Sequence, residues 1–293
     1  MPMQQRRSPR TASRRAPHCI LVTIFAGLLL AVSACAPSGD PTSQPVTLDV
    51  FAAASLQAAF TTIGQHFHHA HPNVGVSFNF GGSNTLAQQI TQGAPADVFA
   101  SANAAQMDVV VKAGDASGAD VKTFAHNRLV VVYPKSNPAQ LYSLHDLARP
   151  GVKIVLAAAA VPAGQYALVF LDKASADPSF GASYKANVLK NVVSYEQDVK
   201  SVLTKVSLGE ADAGIVYVTD AATATSSLST LDIPDALNTV AVYPIVAVNG
   251  SPHAALAQQF VAAVDSADGQ AVLASYGFIA GAAGVQYSPP GGS

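Results

Sequence analysis

Hydrophobic and polar positions divide the chain into alternating short strands and amphipathic helices. Runs of about four to eight apolar or alternating residues predict strands. They lie near residues 46–50, 74–80, 97–100, 129–133, 153–156, 192–195, 213–218 and 240–248. Apolar residues at helical spacing predict helices that begin near residues 56, 83, 104, 143, 162, 196, 255 and 269. Alternation of strand and helix favours parallel pairing with right-handed crossovers, so the predicted fold class is α/β.

Three predicted junctions between a strand and a helix carry small or hydroxyl residues. Ser55 ends the first strand at the N-cap position of a helix, Gly81-Gly82-Ser83 opens the next helix, and residues 161–164 open a later one. Helix N-termini present unpaired N–H groups and a partial positive charge, which suit anions. We predict that these junctions converge on one small oxyanion. Taken alone, each serine is more simply interpreted as an ordinary helix cap, and the two glycines as a tight turn.

Two long apolar strands, 128–134 and 240–248, are placed where the chain could pass between two lobes. A chain that enters a second lobe once and returns once forms a two-stranded hinge with a ligand cleft between the lobes. The predicted lobe 1 comprises residues 46–127 with 245–287, and the predicted lobe 2 comprises residues 128–244.

The N-terminal segment has the pattern of an export signal. Five arginines precede an apolar stretch, 20–32, that is too short for a membrane span and ends in Val32-Ser33-Ala34-Cys35. This ending resembles the lipobox of bacterial lipoproteins, so residues 1–34 are predicted to be a lipoprotein signal peptide and Cys35 the lipidation site. Residues 35–45 read as a flexible tether. The alternatives are an ordinary signal peptide and a twin-arginine signal that uses Arg14-Arg15.

Removal of this signal makes the chain acidic. It leaves 11 Lys and Arg against 18 Asp and Glu, a net charge of −7, which argues against binding nucleic acid. The other of the two cysteines, Cys19, lies in the signal, so no intrachain disulfide is expected. The predicted location is extracytoplasmic, with a lipid anchor in the cell membrane.

Neither common catalytic motifs nor a strong metal motif occurs in the sequence. Gly-x-Ser-x-Gly, His-Glu-x-x-His and a phosphate loop ending in Gly-Lys-Ser/Thr are all missing, so no enzyme and no cofactor are predicted. The cluster His66, His68, His69 and His71 contains two i, i+3 pairs that could hold a metal. A metal-capturing lipoprotein is therefore an alternative, although a solvated helix end before Pro72 is the favoured interpretation.

Seven short motifs follow one another in the order seen in a known family. They are residues 50–56 (VFAAASL), 82–87 (GSNTLA), 93–99 (GAPADVF), 161–167 (VPAGQYA), 196–200 (EQDVK), 214–217 (GIVY) and 276–278 (YGF). The chain resembles the periplasmic molybdate-binding proteins of ABC transporters over residues 46–284. The resemblance implies a two-lobed type II periplasmic-binding-protein fold, capture of molybdate or tungstate as a monomer, and delivery to a membrane permease. Sulfate, another tetrahedral oxyanion, is the alternative ligand.

The same resemblance implies which groups contact the anion. Ser55 and Ser83 would each give a hydroxyl and a backbone N–H, Ala163 and Val199 a backbone N–H, and Tyr217 its phenol. None of these contact loops is expected to place Lys, Arg or a carboxylate on the ligand. Phosphate, which keeps a proton near neutral pH, would be helped by a carboxylate acceptor, so molybdate, tungstate and sulfate are the better candidates.

Overall fold

The structure, a computed structural model, describes residues 45–281. The predicted signal peptide, the lipidation site Cys35, nearly all of the tether and the last residues assigned to lobe 1 lie outside this range. Within residues 45–281, no helix has the length and apolar character needed to cross a membrane.

Strands and helices alternate along most of the described chain. The strands are β1 Val46–Ala53, β2 Val74–Gly81, β3 Val98–Ala100, β4 Lys122–Asn127, β5 Leu129–Pro134, β6 Ile154–Ala157, β7 Val192–Glu196, β8 Ala213–Tyr217, β9 Leu228–Asp232, β10 Ala241–Ala247 and β11 Ile279–Ala280. The α-helices are α1 Gln57–Ala70, α2 Ser83–Thr91, α3 Ala104–Lys112, α4 Pro162–Ala176, α5 Tyr184–Lys190, α6 Val199–Ser207, α7 Val218–Ala222, α8 Ala254–Asp265 and α9 Ala267–Ser275. Short 3₁₀ turns occur at Ala54–Leu56, Gly118–Asp120 and Leu144–Ala148.

The strands form two sheets, which are the centres of two lobes. The first has the order β11-β4-β10-β3-β1-β2, and the second has the order β7-β6-β8-β5-β9. In each sheet the strands followed by helices pair in parallel, β1 with β2 and β3, and β6 with β7 and β8. The strands next to the crossings, β10 and β5, pair antiparallel with their neighbours. The α/β class and the two-lobed type II fold predicted from the sequence are confirmed.

The chain crosses between the sheets at Arg128 and again through residues 233–240. Neither of the long strands β5 and β10 therefore passes between the lobes, because each strand stays within one sheet. The two crossings are fastened to each other: Arg128 pairs with Asp235 at 2.5 Å, and the Asn238 side chain both accepts from and donates to the backbone of Leu129, at 3.1 and 2.8 Å.

Helices α1 and α6 pack closely on the two sheets. Helix α1 buries Phe60, Ile63 and Phe67, the apolar stripe that predicted it, against the first sheet. Helix α6 packs on β8 so closely that a Cβ on Gly214 would lie 2.8 Å from Val202, a distance that only glycine accommodates. This contact holds α6 against β8.

The sequence pattern missed β4, β9, β11, α5 and α7. Strand β4 carries the residues KTFAHN, with only Phe124 as a large apolar side chain, so neither alternation nor an apolar run marks it. Its pairing with β10 forms only in the folded chain. Strand β8 ends at Tyr217, and Val218, predicted to be its last residue, begins α7.

Candidate functional site

Residues at or after the carboxyl ends of β1, β2, β3, β6, β7 and β8 surround one small cavity. Its lining residues are Ala53, Ala54, Ser55, Gly81, Gly82, Ser83, Ala102, Val161, Pro162, Ala163, Asp198, Val199 and Tyr217. The cavity has a volume of about 10 Å³, which is about the space that one water molecule needs. All five residues predicted to contact an anion line it. Their convergence follows from the parallel strands, whose carboxyl ends meet at one edge of each sheet.

Ser55 is not the helix N-cap that the sequence predicted. It lies inside the 3₁₀ turn Ala54–Leu56, with Ala53 before this turn and Leu56 at the N-cap of α1. The Ser55 side chain is buried, and its Oγ lies 3.0 Å from the hydroxyl of Tyr243 on β10. The hydroxyl therefore belongs to the cavity wall and does not cap a helix.

Ser83 is the first residue of α2 and follows the N-cap residue Gly82. Its buried Oγ accepts a hydrogen bond from the backbone N–H of Ala102 at 3.0 Å. A hydroxyl has one proton to donate. Because the bond from Ala102 uses only an acceptor site, the proton of Ser83 remains available to a group in the cavity.

Ala163 and Val199 contribute the first turns of two helices from the second lobe. Pro162 is the first residue of α4, the position that tolerates proline and that the sequence predicted for it. Val199 is the first residue of α6, whose N-cap is Asp198. N–H groups in the first turn of a helix have no partner within that helix, so both residues present potential donors at the cavity.

Asp198 corrects the expectation that no carboxylate reaches the contact loops. It lines the cavity, but its two carboxylate oxygens accept from the backbone N–H and the hydroxyl of Ser201, at 2.8 and 3.0 Å. The negative charge of Asp198 is thus bound by hydrogen bonds in the first turn of α6. Among the described residues that line the cavity, none is lysine or arginine.

Tyr217 ends β8 with its hydroxyl buried. The residue is 1% exposed, and its hydroxyl has no hydrogen-bond partner among residues 45–281. Burial raises the pKa of Tyr217 well above its ordinary value, and the nearby Tyr243 hydroxyl adds to the shift. The phenol therefore stays protonated and able to donate at the cavity. An unpaired buried hydroxyl costs free energy, so this atom marks a place where a partner would be stabilising.

A buried ion pair behind the cavity was not predicted. Asp220 is fully buried, and the Nζ of Lys200 lies 3.0 Å from its Oδ1. Burial raises the pKa of Asp220 above its ordinary value, while the Lys200 ammonium acts in the opposite direction. The pair joins α6 to α7 just behind Val199 and Tyr217. Its two members are far apart in sequence, so no local pattern connects them.

The two lobes contact each other around the cavity. The side-chain amide of Asn103, at the start of α3, donates to Gln165 on α4 at 2.8 Å. A Cβ on Gly82 would lie 2.3 Å from the carbonyl oxygen of Gln197, so α2 and the start of α6 approach closely. Groups from both lobes therefore reach the same small cavity.

The histidine cluster makes separate contacts. His66 pairs with Asp268 at 2.8 Å, His68 contacts the carbonyl of Val74 at 2.7 Å, and the His71 ring packs on Phe67. Within the described part of the chain, no group of three or more His, Cys, Asp or Glu side chains is arranged to hold a metal ion. The geometry does not favour the metal-capturing alternative.

Comparisons with known proteins agree with this architecture. The family profile of bacterial extracellular solute-binding proteins matches residues 48–279. The molybdate-binding protein ModA of Mycobacterium bovis is 42% identical over 258 residues, which cover 87% of this chain and 94% of the relative.

Among solved structures, the periplasmic molybdate-binding protein of Azotobacter vinelandii has a TM-score of 0.67 at 21% identity, covering 79% of this chain and 98% of its own. The sulfate-binding protein SubI of Mycobacterium tuberculosis has a TM-score of 0.71 at 18% identity, covering 80% of this chain and 86% of its own. Proteins named for two different anions thus share this fold, and at these identities the likeness concerns the fold alone.

The profile match covers most of the chain, and the relative at 42% identity is matched over nearly its whole length. These matches confirm the prediction of a binding protein, as opposed to an enzyme. The chain belongs to the bacterial extracellular solute-binding proteins.

Proposed function

We propose that this protein captures molybdate, and also tungstate, outside the cytoplasm and delivers it to the permease of an ABC transporter. The observation that carries the proposal is the small cavity, where helix starts from both lobes meet the buried, unpaired hydroxyl of Tyr217. The relative named as a molybdate-binding protein, at 42% identity, supports the choice of ion. In this proposal Ser55, Ser83, Ala163, Val199 and Tyr217 bind the oxyanion.

Uncharged donors can hold a doubly charged ion at such a site. Residues in the first turns that follow β1, β2, β6 and β7 line the cavity. Each helix N-terminus carries about half an elementary charge, so four of them supply about +2, which matches a dianion. Hydrogen bonds to a charged group are worth about 1.5–3 kcal/mol each, so several fixed donors offset the cost of removing the ion from water.

The donor set also favours an ion that carries no proton. Molybdate, tungstate and sulfate offer only acceptor oxygens, whereas phosphate near neutral pH carries a proton that needs an acceptor. The one carboxylate at the cavity, Asp198, already accepts two hydrogen bonds from Ser201. Sulfate is the competing ion, and cavity size would separate it from molybdate and tungstate, which have longer bonds to oxygen.

A thermal-shift experiment tests the proposed function. The purified protein is heated with molybdate, tungstate, sulfate, phosphate or zinc, each added to separate samples. A ligand that binds only the folded state raises Tm. We expect clear increases with molybdate and tungstate. A rise with sulfate alone would assign the site to sulfate, a rise with zinc alone would favour metal capture, and no rise with any oxyanion would overturn the proposal.

Substitution of the two serines tests the site assignment. Ser55→Ala and Ser83→Ala each remove one donor, and we expect each to weaken molybdate binding about ten-fold or more, since the donor faces a charged ligand. Isothermal titration calorimetry measures the change. Thr61→Ala, which removes a hydroxyl bonded within α1, serves as the matched control and should bind like the parent. Parent-like affinity in both serine variants would refute the assignment.

The remaining features of the proposal concern anchoring and domain bounds. We propose lipidation of Cys35 after cleavage of residues 1–34, with the tether 35–45 connecting a monomeric protein to the membrane. Mass spectrometry of the mature N-terminus tests this step. Lobe 1 would comprise residues 46–127 with 245–287 and lobe 2 residues 128–244. The membership of β10 in the six-stranded sheet supports an earlier second boundary, within residues 233–240.

A further inference from the structure

Tyr243 lies directly behind Ser55 and is held rigidly. It is completely buried on β10, and its ring packs edge-on against Phe124, Tyr217 and Phe278, with centroid distances of 6.3, 5.8 and 5.5 Å. Tyr217 belongs to the second sheet, whereas Tyr243 belongs to the first. The ring is therefore fixed from both lobes, and its hydroxyl has a defined position 3.0 Å from the Oγ of Ser55.

Proton counting determines the direction of this hydrogen bond when an oxyanion is bound. Ser55 has a single hydroxyl proton, and an ion that offers only acceptors requires that proton. The bond between Ser55 and Tyr243 must then be supplied by the Tyr243 proton. Burial raises the pKa of Tyr243 above its ordinary value, so this proton is present throughout the physiological range.

The Ser83 hydroxyl also accepts a hydrogen bond, but from a different group. The Ala102 backbone N–H donates to its Oγ at 3.0 Å, as Tyr243 would donate to Ser55. With an oxyanion bound, each serine would thus receive one hydrogen bond from the first lobe, which would keep its own proton for the ligand. The backbone provides this support for Ser83, whereas a side chain provides it for Ser55, so only the second arrangement can be removed by substitution.

We propose that Tyr243 is a positioning residue that holds the Ser55 hydroxyl as a donor to the bound oxyanion. This inference rests on the proposed function and adds a residue that does not itself line the cavity. Without the Tyr243 hydroxyl, the Ser55 hydroxyl would rotate among several orientations, and part of its contribution to binding would be lost.

The test is Tyr243→Phe, which keeps the ring contacts and removes only the hydroxyl. We expect molybdate, measured by calorimetry, to bind about five-fold more weakly, the change that one neutral hydrogen bond carries. Tyr184→Phe is the matched control, because Tyr184 is equally buried and donates to the Leu144 carbonyl in the second lobe, away from the cavity. Circular dichroism and ligand-free unfolding curves show that both variants are folded.

A double-variant cycle distinguishes positioning from general stability. If Tyr243 acts through Ser55, then Ser55→Ala with Tyr243→Phe binds no more weakly than Ser55→Ala alone, because the hydroxyl to be positioned is already gone. If the two losses of molybdate affinity multiply in the double variant, the inference is overturned. Parent-like binding by Tyr243→Phe would overturn it too. Equal weakening in Tyr184→Phe would overturn it as well. Each of these results leaves molybdate binding by the parent intact, so they are distinct from a failure of the proposed function.

Discussion

The two lobes present different kinds of groups to the cavity. The first lobe presents the hydroxyls of Ser55 and Ser83, each with a hydrogen-bond partner behind it. The second lobe presents the helix starts at Ala163 and Val199, whose side chains carry no polar atom, together with the phenol of Tyr217. Side-chain donors dominate one wall, and backbone donors dominate the other.

This difference shows that the residue types along a sequence do not always reveal the wall of a binding site. A backbone N–H is available from every residue except proline, so its placement depends on where a helix starts and on what it packs against. A hydroxyl donor depends on residue type and also on a neighbour that orients it. Molybdate affinity should therefore depend on the side chains in the first wall and on the backbone in the second wall.

Gly82→Ala is expected to have the largest effect, because it acts where the two walls meet. The added Cβ would lie 2.3 Å from the carbonyl oxygen of Gln197 and push the start of α6 away. Loss of donors from the second lobe should weaken molybdate binding by about a hundred-fold or more. Titration calorimetry measures the affinity.

Gly75→Ala is the control for that change. Gly75 lies on β2, the strand that ends just before Gly82, and a Cβ there would have its nearest neighbour at 3.8 Å, an ordinary contact. This variant should bind like the parent. Parent-like binding by Gly82→Ala would show that close approach of the two lobes at this point is not needed for binding.

Val199→Pro tests the backbone wall directly. Proline fits the first position of a helix, and Asp198 before it is already extended, with φ −156° and ψ 168°, so α6 should keep its structure. The variant lacks one N–H, and we expect binding to weaken about ten- to hundred-fold. Val199→Ala keeps the N–H and should lower stability while preserving affinity. Equal affinities of the two variants would remove Val199 from the site.

Asp146→Asn should have the smallest effect and should alter stability alone. The Asp146 carboxylate caps the turn at Leu144–Ala148 in the second lobe, accepting from the backbone N–H groups of Tyr142 and Ser143 at 2.9 and 2.8 Å. The bond from Tyr142 and those from Ser143 hold the pKa of Asp146 below its ordinary value of 3.8. Its stabilising contribution is therefore present above that value and is lost as the pH falls through the folded-state pKa.

Urea unfolding at several pH values measures this contribution. Near neutral pH, Asp146→Asn should lower the free energy of unfolding by about 1 kcal/mol, as for other helix caps. The difference from the parent should shrink in acid, while molybdate affinity near neutral pH stays unchanged. A changed affinity would show that the backbone wall depends on this distant turn.

Local patterns in the sequence were enough to predict the α/β class, most strands and helices, and several helix starts. The stripe Phe60, Ile63, Phe67 and the proline at position 162 are examples, because periodicity and backbone restrictions act over a few residues. Ser143 and Asp146 likewise form the capping box that their spacing predicts, although on a 3₁₀ turn. The five predicted contact residues were located partly through the family resemblance, since nothing in Ala163 or Val199 itself indicates a ligand.

Only the tertiary structure decided how these pieces meet. The contact of the Tyr243 hydroxyl with Ser55 and the pair of Lys200 and Asp220 each join residues far apart in the chain. Strand β4 exists because β10 pairs with it. Short-range preferences determine which segments become helices and strands, whereas packing of the two sheets determines which backbone and hydroxyl groups face one another.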